Sequence, residues 1–203
     1  SEQTGLEYGA TVEFEADTNR NDNTDETWLF MSGGWGEVRL GDEDGVADNS
    51  NVGANTIAAG TGGIDGSIVD TIGTPMVFLT NSNDATKVRY YTPSFGGLQL
   101  GVSYTPQQDT VDSGANNGDA LASTEVEAQN FVEAVLIYRG TLGGTGLLAS
   151  LTGSACEWNE GDAGTDDDDC FGVYGGANID LFGFRLGGGY GSERFGDTER
   201  DFF

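Results

Sequence analysis

The chain of 203 residues carries 34 acidic against 8 basic side chains, a formal charge of −26, no histidine and a single lysine, Lys87. Nucleic-acid binding rests on Lys and Arg meeting phosphates, so no nucleic-acid partner is expected, and without histidine the usual general bases and Cys/His metal sites are largely missing. The longest uninterrupted apolar stretch, residues 134–138, falls far short of the roughly 20 apolar residues of a membrane-spanning helix, which excludes a helical membrane protein.

The apolar fraction is 36%, against roughly 45–50% in ordinary globular domains, where glycine is also counted. High charge with low hydrophobicity describes disordered chains and also soluble proteins adapted to high salt. Three Trp, seven Tyr and eleven Phe argue against disorder. No N-terminal stretch combines a basic end with an apolar core, so any signal peptide is expected to have been removed or to lie outside this sequence.

Period-two alternation is the informative signal. In residues 5–16, Leu6, Tyr8, Ala10, Val12, Phe14 and Ala16 alternate with Glu7, Gly9, Thr11, Glu13 and Glu15, which predicts a strand with one apolar face. The pattern recurs at 26–33 on Trp28 and Phe30, at 36–42 on Val38 and Leu40, at 86–92 on Val88 and Tyr90, and at 97–105 on Leu98, Leu100, Val102 and Tyr104. Further strands are predicted at 129–139, 146–156, 170–180 and 183–193, giving nine strands and no helix.

The connections alternate in length. Those at 34–35, 93–96, 140–145 and 181–182 are short, whereas those at 17–25, 43–85, 106–128 and 157–169 are long. Tight turns at one end of an up-and-down sheet and long polar loops at the other are the connectivity of a transmembrane β-barrel. Charge placement agrees: of 14 charged residues in the strands, 12 fall on the face opposite the apolar one, and the exceptions, Glu26 and Asp42, sit at loop ends. That predicts a polar interior and an apolar exterior. Aromatic residues such as Tyr8, Trp28, Phe95, Phe182 and Phe184 lie near strand ends, where rings favour a membrane interface.

Four stretches carry a family likeness: Gly5-Leu6-Glu7-Tyr8-Gly9-Ala10; Thr27-Trp28-Leu29-Phe30-Met31-Ser32-Gly33 running on to Trp35-Gly36-Glu37-Val38-Arg39-Leu40-Gly41-Asp42; Lys87-Val88-Arg89-Tyr90-Tyr91-Thr92-Pro93-Ser94-Phe95; and Gly97-Leu98-Gln99-Leu100-Gly101-Val102-Ser103-Tyr104. They resemble the general, non-specific porins of Gram-negative outer membranes, in particular the alphaproteobacterial branch, well over residues 5–105 and by pattern beyond. The resemblance implies an all-β fold, a transmembrane antiparallel up-and-down β-barrel of about 16 strands, of which nine are visible here. It further implies a homotrimer set in outer-membrane lipid and lipopolysaccharide, conducting small hydrophilic solutes and ions by passive diffusion without catalysis.

In that family an external loop folds into the lumen, and here it corresponds to 43–85 within a single, partial barrel domain spanning 1–203. Its acids include Glu43, Asp44, Asp48, Asp65, Asp70 and Asp84; Asp65 and Asp70 are the first choices for the constriction, with Asp44 and Asp48 beside them. Arg39, Lys87, Arg89 and Arg185, on the lumen parity, are expected to face them, creating a transverse field. The acidic lumen predicts cation preference that salt weakens, since fields are screened over about 10 Å at 0.1 M.

The chain departs from the family at its ends: a first hairpin is missing before residue 5, the sequence stops after the ninth predicted strand, and the charged run 197–201 makes the terminal Phe203 a coincidence rather than a closing strand. A segment of a larger protein is therefore expected. Cys156 and Cys170, at the two ends of one connection between adjacent strands, are expected to form a disulfide, with two free thiols as the alternative. Asp166, Asp167, Asp168 and Asp169 form a carboxylate cluster able to attract a hard cation such as calcium, against the simpler reading of a solvated loop tip. No other cofactor is expected. The rival from a different class is a secreted, salt-adapted β-sandwich binding calcium or carbohydrate.

Overall fold

The computed structural model describes residues 5–14, 24–53, 56–57, 79–109, 126–159, 167–195 and 198–202. They form β1 (Glu7–Phe14), β2 (Thr24–Gly33), β3 (Gly36–Asp42), a four-residue helix α1 (Val46–Asn49), β4 (Thr86–Tyr91), β5 (Leu98–Asp109), β6 (Val126–Leu142), β7 (Thr145–Asn159), β8 (Asp167–Leu181), β9 (Phe184–Phe195) and β10 (Thr198–Phe202). The ten strands make one antiparallel sheet in strict chain order, with β1 and β10 at its edges.

Directly paired residues share a face, so the register sorts the whole sheet. One row runs Tyr8, Met31, Val38, Tyr90, Val102, Ala134, Gly153, Val173 and Ser192. This outer face exposes Leu29 at 59%, Leu40 at 54% and Leu186 at 60%, whereas Lys87, Arg89, Glu133 and Glu193 on the inner face are nearly fully buried. A β-sandwich buries its apolar faces between two sheets; here a single sheet displays its apolar face and buries its charges. That inversion suits hydrocarbon outside and water inside.

Two expectations are corrected by the register. Strand β2 is apolar on both parities from Trp28 to Met31, and pairing selects Leu29 and Met31, opposite Leu40 and Val38, for the outer face. Trp28 and Phe30 therefore point inward, where the Phe30 ring covers Gly9 and the Arg39 guanidinium lies 4.0 Å from the Trp28 ring centroid. Glu26 shares that inner parity, which removes one of the two charge exceptions; Asp42 stays on the outer parity and accepts a hydrogen bond from Thr86 Oγ1.

The second correction concerns the end of the sequence. Residues Thr198–Phe202 form a tenth strand: Glu199 pairs with Arg194, Arg200 with Glu193 and Phe202 with Gly191. The charged run is accommodated because Arg200 ion-pairs inward with Glu193, while Phe202 stacks on Tyr174 with ring centroids 6.0 Å apart.

Turn chemistry fixes the short ends. Gly96 and Gly97 (φ 59° and 87°), Gly143 and Gly144 (59° and 87°), and Phe182 and Gly183 (52° and 86°) all have two successive positive φ angles, the pattern of primed two-residue hairpins that match strand twist. Strands β2 and β5 to β9 run further than predicted toward the other end, whereas β1 stops short, at Phe14. β5 continues through Pro106, which lacks an N–H, because Asn130, at φ 50°, falls opposite it between the pairs Thr105 with Phe131 and Gln107 with Gln129.

Candidate functional site: the inner face and its connection

A second row of paired residues crosses the inner face: Phe30, Arg39, Arg89, Ser103, Glu133, Ser154, Gly172, Glu193 and Arg200. Against it lie both described limbs of the 43–85 connection, the outgoing limb 43–53 and the returning limb 79–85. Their apolar residues plug into the wall. Val46 packs with Val135 and Ile137, and Leu79 with Tyr174 and Phe202.

Polar wall groups meet mostly the main chain of these limbs. Val46 N donates to Ser103 Oγ (3.2 Å), Tyr174 Oη donates to Val52 O (3.1 Å) and Arg89 Nη1 donates to Asp44 O (2.8 Å). On the returning limb, Thr80 N donates to Glu193 Oε2 (2.7 Å) and Ser82 N to Glu133 Oε1 (2.9 Å). Wall glycines leave the room this requires: a Cβ on Gly176 would stand 1.7 Å from Val52 O, and one on Gly172 would stand 2.6 Å from Leu79 Cδ2. The glycines of β8 and β9 thus permit close backbone approach.

The charged centre is Glu43. Its Oε2 lies 2.7 Å from Arg89 Nη2 and 3.3 Å from Arg39 Nη1, while Arg39 Nε also meets Glu37 Oε1 at 2.7 Å. Arg39 and Arg89 are direct cross-strand neighbours, and a carboxylate between them relieves their repulsion. Burial raises the Glu43 carboxyl above its usual range, although Arg89 and Arg39 oppose that shift.

Two cavities flank this junction, and Arg39, Arg89 and Asn49 line both. One, of about 440 Å³, lies toward the long connections and carries Glu13, Asp25, Glu26, Glu43, Asp44 and Asp84. The other, of about 430 Å³, lies toward the tight turns and is lined by Ser32, Glu37, Tyr91, Gln99 and Arg139 among others. In the acidic cavity, Glu26, Asp44 and Asp84 bring carboxylate oxygens within 4.8 Å of one another, the spacing at which a cation could be held. Burial, then repulsion from Asp44, pushes both Asp48 and Asp84 up to about 7.

Of the residues predicted for the constriction, Arg39, Arg89 and Asp44 come together here. Asp48 sits beside them, accepting a hydrogen bond from Asn81 Nδ2 (3.2 Å). Lys87 is on the predicted face but lines neither cavity: it is 1% exposed, beneath the connection. Arg185 stands apart, at the turn end of β9, in an exposed two-point ion pair with Asp180 (2.6 and 2.9 Å). Asp65, Asp70 and Asp166 lie outside the described residues, as do the side chains of Asp167 and Asp168; Asp169 is an exposed strand residue opposite Glu157.

Cys156 and Cys170 are joined in a disulfide with Cα atoms 4.9 Å apart. They are directly opposed on β7 and β8 and are buried with Ala128 and Phe131, so the bond is a cross-strand link within the sheet rather than a clasp at the base of a loop. Sequence reasoning underrated Glu43 and gave no role to Glu133 or Glu193. Their signal was available: each of the latter two is an isolated acid on the inward parity of a strand.

The family described as Gram-negative porin matches residues 1–202, and the chain belongs to it, a family of outer-membrane β-barrels. It is 30% identical over 112 residues to an uncharacterized protein of Rickettsia prowazekii, covering 43% of this chain and 25% of that one. An uncharacterized protein of Rickettsia conorii is 30% identical over 129 residues, 50% of this chain and 29% of the relative. The major outer membrane protein P.IB of Neisseria gonorrhoeae is 29% identical over 115 residues, 57% of this chain and 29% of its own length. The matches therefore span less than a third of these curated relatives.

Proposed function

We propose that this chain supplies part of the wall and the infolded loop of a water-filled outer-membrane channel through which small hydrophilic solutes and ions, cations in preference, diffuse passively. Family membership supports the channel, and the connection 43–85 is read as its constriction. The observation that carries cation preference is the placement of Glu43. It engages both Arg39 and Arg89, and with Glu37 on Arg39 two carboxylates offset the two guanidiniums, while Glu13, Asp25, Glu26, Asp44 and Asp84 remain around the adjoining cavity. Such a concentration of one charge sign raises the local concentration of counter-ions.

The outer apolar face is read as the surface for lipid and, in a homotrimer, for neighbouring copies, with lipopolysaccharide around the assembly. Reversal potentials of the full-length protein in planar bilayers under a salt gradient test the selectivity. The expected result is cation preference that declines with ionic strength. In Glu43→Gln, Arg39 and Arg89 lose their shared counter-charge and selectivity shifts toward anions. Anion preference in the unaltered channel would overturn the reading.

A further inference from the structure

We propose that Lys87 is a positioning residue that fastens both ends of the 43–85 connection to the barrel wall, so that the docking of the constriction rests in part on one buried ammonium. The inference rests on the porin reading for its functional consequence, but its structural core does not.

Lys87 is the only lysine of the chain and is the second residue of β4, at its connection end, paired with Gly41 on β3. Its Nζ donates to three main-chain oxygens: Glu43 O, at the start of the outgoing limb, and Asn83 O and Ala85 O (the last at 2.6 Å), at the end of the returning limb. An ammonium has three donors and no acceptor. All three are used, and they join residues 40 and more apart in sequence. The carboxylates of Glu133, Asp44, Asp84 and Glu43 lie near enough to compensate the charge without taking its hydrogens.

Burying a charge is costly unless it is paired and hydrogen-bonded, and here the Glu133 carboxylate on β6 supplies charge from the wall, while all three hydrogen bonds exist only with both limbs docked. If the limbs lift away, the ammonium loses three carbonyls and the carbonyls lose their donor. The latch also reads main chain rather than side chains, so it holds the connection without prescribing the side chains that project into the lumen.

Lys87→Met keeps the unbranched apolar stem, ending one atom short of Nζ, and removes every donor. The folded full-length protein, in detergent, is treated with proteinase K, and cleavage between residues 43 and 85 is followed by mass spectrometry. Because cleavage at limiting protease follows the population of the open form, loss of even one charge-assisted hydrogen bond raises the rate about tenfold or more. In bilayers the same variant shows larger, fluctuating open-channel conductance. Arg185→Gln, which alters charge at the exposed turn end of β9 and touches neither limb, serves as the comparison and retains slow cleavage.

Cleavage and conductance of Lys87→Met equal to those of the unaltered protein would overturn the proposal. Should that variant fail to assemble, Lys87→Gln, with two donors on one nitrogen, carries the test with a smaller but measurable rise in cleavage. A protein that forms no channel at all would defeat the porin reading, while the protease experiment would still decide on the latch.

Discussion

Gly176 shows how one residue of the wall governs the lumen. Val52 O occupies the space a side chain would need, 1.7 Å from the position of a Cβ, and the same carbonyl accepts from Tyr174 Oη. The obstacle is backbone on both sides, so nothing flexible can give way. Gly176→Ala is expected to push the outgoing limb off the wall and destabilise the fold by about 1–3 kcal/mol, the usual range for overpacking. A urea-unfolding midpoint measured beside Gly188→Ala, whose Cβ would meet nothing within 4 Å, checks it: the two should differ clearly, and equal midpoints would count against the close approach.

Among the elements, the β7–β8 pair is the most firmly specified. Fourteen residue pairs run without a register shift from Gly146 with Asp180 to Asn159 with Asp167, and the disulfide lies within this ladder. Since the strands already hold Cys156 opposite Cys170, the bond acts chiefly by restricting the unfolded chain. For a sequence separation of 14, the chain-entropy account gives about 3 kcal/mol. A Cys156→Ser, Cys170→Ser double variant should therefore unfold at lower urea than the oxidised protein, with the same secondary structure by circular dichroism. An unchanged midpoint under oxidising conditions would show that the unfolded chain is already restricted here. The opposite ends of the strands are set by backbone conformation instead, most plainly at Phe182, which is 97% exposed and holds a left-handed φ of 52° that glycine would occupy more readily.

For the whole molecule, the acidic side of the junction is expected to make stability and, on the proposed channel reading, selectivity depend on pH. Asp48 and Asp84 are raised from 3.8 to about 7, by burial first and by Asp44 next. Between these limits the folded chain holds protons that the unfolded chain has released, so stability falls as pH rises from about 4 to about 7; below that window the penalty vanishes and above it the penalty is complete. On the proposed channel reading, permeation is expected to follow the opposite sense, because Asp84 lines the acidic cavity and would attract cations only when ionised. Reversal potentials at about pH 5 and about pH 8 should show weaker cation preference at the lower value. Asp84→Asn should remove part of that difference, and an identical pH response in the variant would exclude Asp84 as its source.

The alternation of residues determined a great deal on its own: two-faced strands, their order, the tight turns and the long connections, and the placing of most charges on the face away from the apolar one. These are local properties, fixed by the two-residue repeat of an extended chain and by the conformations that turns such as Gly143-Gly144 demand. Where both parities of a strand are apolar, as in Trp28 to Met31, the repeat is silent, and only pairing with Ala10 and Leu40 decided which side faced out. The run after Asp197 looked too charged for a strand until Arg200 met Glu193 across it. Likewise, composition marked 43–85 as acidic, yet which acid would stand between Arg39 and Arg89, and that Lys87 would be spent on backbone carbonyls rather than on the lumen, depended on limbs distant in sequence lying on one face of the sheet. Hydrogen bonds to main chain leave no trace in residue identity, which is why the tertiary structure alone decided how the connection is held.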